Sequence, residues 1–94
     1  MEINVTPEIS SKLTNKHQVT IKEVTECFSN IDGKLLKDNR DKHKTNPPTF
    51  WFISETNKKR KLKVCFVQIG KVYHVKTAYE PNADELHIYR THAY

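Results

Sequence analysis

"LKVCFVQIGKVYHVKTAY", residues 62–79, is the stretch that decides the fold. Two apolar runs rich in β-branched and aromatic residues, Leu62 to Ile69 and Val72 to Tyr79, are separated only by Gly70 and Lys71. A two-residue connection containing glycine is a tight hairpin turn, so the runs are antiparallel neighbours. One step toward the N-terminus, "TFWFIS" (49–54) reads as a third strand, entered through Pro47-Pro48 and left through the polar hairpin loop "ETNKKRK" (55–61). "KLLKD" (34–38), after the turn signal Asp32-Gly33, supplies a short fourth strand.

The residues before this sheet change period. Thr6 is placed as an N-cap, Pro7 at the first helical position and Glu8 in the first turn, with Ile9 and Leu13 four apart behind them. Thr20 and Glu23 have the spacing of a capping box, and Val19 with Val24 forms a hydrophobic staple around it. Ile21, Val24, Cys27 and Phe28 mark the buried face of that second helix. After the sheet, Asn82 and Glu85 repeat the capping-box spacing, which predicts a short final helix with Leu86 and Tyr89 or Ile88 turned inward. The expected architecture is α+β. An N-terminal helical hairpin packs on a twisted antiparallel sheet of about four strands, and a short C-terminal helix closes the chain.

Ninety-four residues, 36% of them hydrophobic, make one domain with one modest core. No apolar run approaches the roughly 18 to 20 residues that span a bilayer, and the N-terminus lacks the order of a signal peptide. The expected location is cytoplasmic, away from any membrane. Cys27 and Cys65, far apart in apolar surroundings, read as reduced core thiols. The formal charge of +5 is unevenly placed: residues 34–63 hold ten Lys/Arg against three acids, a net +7, while the remainder carries six bases and eight acids. A basic patch on an otherwise ordinary domain is the footprint of phosphate contact, and a merely solvated lysine-rich surface is the competing account.

With the elements in this order, the chain resembles the BrnT-like members of the RelE superfamily of bacterial ribonuclease toxins. The segment "HGVSxxE" of those proteins has its counterpart in "HQVTIKEV" (17–24), and "ISARxAxxxE" in "VKTAYEPNADE" (75–85). Tyr79 stands where the family has an arginine after the alanine of the last strand. "TNPPTFWFI" (45–53) and "VKTAYEPN" (75–82) also resemble a group of small bacterial proteins often labelled ADP-ribosyl-dinitrogen-reductase hydrolases. ADP-ribosylhydrolases of that kind are much larger, all-helical and metal-dependent, whereas this chain is short and strand-rich, so that chemistry is set aside. The resemblance to the toxins implies a metal-independent endoribonuclease acting on RNA, free or on the ribosome, and a cognate antitoxin protein that covers the positive surface.

Cleaving RNA without a metal needs a proton acceptor for the 2′-hydroxyl, cations for the phosphate and an acid for the leaving oxygen. His43, beside Arg40, Lys42 and Lys44, is assigned the acid/base role because histidine titrates near neutrality, with Arg40 as phosphate clamp. Strict alternation along "VYHVKTAY" places Tyr73, Val75, Thr77 and Tyr79 on one face and Val72, His74, Lys76 and Ala78 on the other. Thr77 and Tyr79 join the catalytic candidates. Lys42, Lys44, Lys76 and the hairpin-tip run Lys58, Lys59, Arg60, Lys61 and Lys63 are the expected RNA contacts, and Trp51 is a candidate stacking platform. There is no CxxC, HExxH or glycine-rich phosphate loop, so neither metal nor cofactor is expected. The alternative is a noncatalytic nucleic-acid or protein-binding module using the same patch; a third reading is a toxin fold that has kept the shape and lost the activity, which Tyr79 in the arginine position favours.

Overall fold

The computed structural model describes residues 2–38 and 47–94. The elements are β1 (Glu2–Asn4), α1 (Pro7–His17), α2 (Ile21–Ser29), β2 (Leu36–Lys37), β3 (Thr49–Glu55), β4 (Lys61–Ile69), β5 (Val72–Tyr79) and α3 (Ala83–Ala93). They form an α+β fold around one five-stranded sheet of order β1-β5-β4-β3-β2. Strands β2 to β5 pair antiparallel as expected, β3–β4 and β4–β5 through the two hairpins read in the sequence, but the sheet is mixed, because β1 adds to the outer edge of β5 in parallel.

All three helices start where their caps stand. Thr6 accepts from the Ile9 N–H with Pro7 behind it, and both the Thr20/Glu23 and Asn82/Glu85 capping boxes are closed in both directions. Helix α1 ends on Gln18, which takes the left-handed conformation (φ 51°) and turns the chain into α2.

The helices cover both faces of the sheet. Phe28 of α2 packs on Phe52 and Phe66, whereas Tyr89 of α3 packs on Trp51. Adjacent residues of a strand point to opposite faces, so α2 and α3 lie on opposite sides. This sandwiching explains why Leu62 through Val67 are buried without a break. Cys27 and Cys65 are both buried and no disulfide joins them, and burial pushes the Cys27 thiol up to about 11. Ile21, expected inside, is exposed, and of the two alternatives in α3 it is Tyr89 that turns inward while Ile88 is exposed. No helix among the described residues is long and apolar enough to cross a membrane.

The strict alternation expected for β5 fails at one residue. Cys65 pairs with Thr77 but Phe66 pairs with Val75, which makes Lys76 the extra residue of a β-bulge. Tyr73, Val75 and Ala78 therefore share the α2 side with Phe66, and Thr77 and Tyr79 lie on the α3 side.

Candidate functional site

The hairpin from β3 to β4 sorts its cations. Thr56 to Arg60 form a compact turn in which the Lys59 N–H donates to the Thr56 carbonyl and the Thr56 N–H to the Arg60 carbonyl. Arg60 then reaches back across the α1–α2 junction. Its guanidinium donates to the carbonyls of His17 and Gln18 at the end of α1 and pairs with Glu23 at 3.0 Å and Glu80 at 3.5 Å. An arginine that satisfies the last carbonyls of a helix is a C-terminal cap supplied from elsewhere in the chain.

Lys63 is not at a hairpin tip. It lies within β4 under α3, 6% exposed, with Nζ 2.8 Å from Glu85 Oε2 and 4.6 Å from the centre of the Trp51 ring. Tyr79, its cross-strand neighbour, donates its hydroxyl to the same oxygen at 2.8 Å, while Glu85 Oε1 accepts from the Asn82 N–H. Burial drives the Glu85 carboxyl upward, but the hydrogen bonds from Lys63, Asn82 and Tyr79 outweigh it and hold it below its ordinary value. Burial would lower Lys63, but the bond to Glu85 wins and raises it. Burial and the bond to Glu85 together raise the Tyr79 phenol.

Both capping-box glutamates thus end on cations at the start of β4. Glu23 meets Arg60 on the α2 side and Glu85 meets Lys63 on the α3 side. The sheet pins a helix layer on each face with one ion pair, and neither cation is left for a ligand.

The expected RNA contacts therefore divide. Arg60 and Lys63 are held by protein carboxylates, and Trp51, 9% exposed between Tyr89 and Lys63, is core and offers no open face for stacking. Tyr79 is half-buried and fastens α3, with the His17 ring 5.4 Å away, and Thr77 is half-buried beside Cys65. Lys58, Lys59 and Lys61 are exposed, as is Lys76 on its bulge. His43, Arg40, Lys42 and Lys44 lie outside the described residues. Among the described residues no group of three or more His, Cys, Asp or Glu is placed to hold a metal ion.

Beside the three hairpin lysines is a cleft of about 700 Å³, bounded by the segment after α2, the edge of β3 with its turn, and the last two turns of α3. It opens because β2 covers only Trp51 and Phe50 of the β3 edge. Beyond β2, side chains replace the missing strand. The Tyr89 hydroxyl donates to the Lys34 carbonyl, and Asn30 Nδ2 donates to the Glu55 carbonyl at 2.9 Å. This cleft escapes sequence reading because its walls come from three distant segments. Comparison of the chain with protein-family models and with curated proteins gives no match.

Proposed function

We propose that this chain is a small cytoplasmic RNA-binding domain whose basic middle third holds the phosphate backbone. One observation carries the reading: Lys58, Lys59 and Lys61 stand exposed on one hairpin and, among the described residues, make no ion pair, while their neighbours Arg60 and Lys63 are paired with carboxylates. Lysines that a fold leaves uncommitted on one side are what phosphate contact requires.

The second reading is the metal-independent endoribonuclease toxin that the resemblance implies, active on free RNA or the ribosome and silenced by an antitoxin. His43, set among Arg40, Lys42 and Lys44, favours it. Tyr79 gives it little help, since a phenol that already donates to Glu85 and resists ionisation is a poor proton acceptor. Cleavage would rest on His43 and Arg40.

The test is incubation of labelled single-stranded RNA and tRNA with the protein in EDTA, beside His43→Ala. A gel shift with intact RNA is the expected result. Discrete fragments that vanish in His43→Ala would make the enzyme reading the correct one, and RNA that neither shifts nor breaks would sink both.

A further inference from the structure

We infer that the cleft beside the hairpin takes one unstacked nucleotide of a single-stranded RNA, its base against Tyr94 and its phosphate against Lys59, Lys61 and Arg90. The inference rests on the RNA-binding reading and locates it on the molecule. A volume of about 700 Å³ lies within the usual range for small-ligand sites.

The backbone of Lys59 is the first argument. It sits at φ 71°, in the left-handed region where a glycine would stand without strain. The turn is a type I turn followed by a left-handed residue, the position in such hairpins that glycine ordinarily takes. A lysine kept there costs stability, and strain of this kind gathers at ligand sites. Its side chain lines the cleft and makes no ion pair among the described residues.

The amide pair on the cleft wall is the second. Asn30 Nδ2 donates to both the Glu55 carbonyl and Asn57 Oδ1, which fixes the orientation of both amides. Among the described residues that leaves the Asn30 oxygen as an acceptor and the Asn57 amino group as a donor. One acceptor and one donor on two joined amides suit the mixed donor and acceptor pattern of a base edge. Tyr94 is the third: the residue is 66% exposed, yet its ring is seated edge-on against Tyr89 at 5.9 Å. An exposed, oriented ring is a platform for a base. Asp32 and Glu55 also line the cleft. Glu55 stands directly across from Lys61 in the β3–β4 pair, and both carboxylates can accept from a base amino group.

The experiment titrates the whole protein with single-stranded octaadenylate, reading affinity by fluorescence anisotropy and the Asn57 side-chain amide signals by NMR. Tyr94→Ala is expected to weaken binding about tenfold, the size of one lost base stack. Lys59→Gly is the diagnostic variant, because it should raise the melting temperature by relieving the turn while weakening binding severalfold, more than Lys58→Gln does at the neighbouring turn position. Octaadenylate that binds without moving the Asn57 signals, with Lys58→Gln as harmful as Lys59→Gly, would overturn the cleft and leave diffuse RNA binding in place. Equal affinity for an oligoglutamate of the same length would overturn nucleotide recognition in favour of an acidic protein partner. Failure of octaadenylate to bind at all would remove both this inference and the reading beneath it.

Discussion

Lys63 has almost no exposed side chain, and it is Glu85 that makes this tolerable. The carboxylate receives Lys63, Tyr79 and the Asn82 N–H, so each of its oxygens is filled and the buried ammonium is neutralised. Removing one member of a buried pair leaves the other charge in a poorly solvated site, which costs about 3 kcal/mol, whereas replacing both partners by neutral side chains of similar size costs far less. Glu85→Ala should therefore destabilise the fold by about that amount in urea unfolding. Lys63→Met with Glu85→Gln should recover most of the loss, and a double variant as unstable as Glu85→Ala would mean that the two residues are not coupled. The signs of the shifts set pH limits on the same cluster. Glu85 is depressed in the folded protein, so its contribution is complete above about pH 4.3 and is lost as pH falls through the folded value. Lys63 and Tyr79 are raised, so theirs are complete below about pH 10 and are lost as pH rises through the folded values. In sequence Lys63 reads as one more cation in a basic run. Its burial depends on α3 lying over that face, a tertiary event that no local pattern records.

At the scale of elements, legibility follows how local the cause is. The helix starts were readable because Thr6, Thr20 and Asn82 act on backbone groups three residues away. The hairpin at Gly70 was readable because glycine can stand at its φ of 61°. Strand β1 was not, since a three-residue alternation is too short to stand out and its existence depends on pairing with Val72 to His74, about seventy positions away in the chain. The bulge at Lys76 was equally hidden, because it is a mismatch between two strands and not a property of either. The cleft shows the same limit. Its seat for α3 depends on Gly33, where a Cβ would stand 2.9 Å from the Tyr89 hydroxyl and 3.1 Å from both the Ala93 Cβ and the Tyr94 ring. Gly33 reads as a turn residue in sequence, yet its lack of a side chain is what lets the end of α3 close against β2 and β3. Gly33→Ala should push that end outward and destabilise the protein by about 1 to 3 kcal/mol. A lowered melting temperature together with a rise in Tyr94 mobility by NMR is the expected outcome, and an unchanged melt would show that the helix end has room to spare.

Over the whole molecule, the sheet order gathers charge that the sequence only lists. The described part of the basic span, residues 34–38 and 47–63, runs through β2, β3 and the start of β4, which are consecutive in the sheet, and β5 and β1 follow on the other side of β4. Several of the nearest acids are already occupied. Glu23 pairs with Arg60, Glu85 with Lys63, and Glu26 accepts from the Asn57 N–H. Lys58, Lys59 and Lys61 are exposed and, among the described residues, make no ion pair, so they contribute their full charge to the field on that side. Such a surface binds a polyanion by releasing counterions, and each phosphate contacted on a single strand contributes about −0.7 to the slope of log affinity against log salt. Three hairpin lysines alone predict a slope of about −2, and contacts from Lys42 and Lys44 would steepen it. Anisotropy titrations of labelled single-stranded RNA at several salt concentrations measure that slope directly. Lys58→Gln, Lys59→Gln and Lys61→Gln should each flatten it by about 0.7, in contrast to Lys76→Gln on β5, which lies two strands away from β3 and should leave it unchanged. If all four lysines contribute alike, the contact surface is the whole positive protein and not the hairpin, and a slope near zero would mean that the RNA is not held through its phosphates.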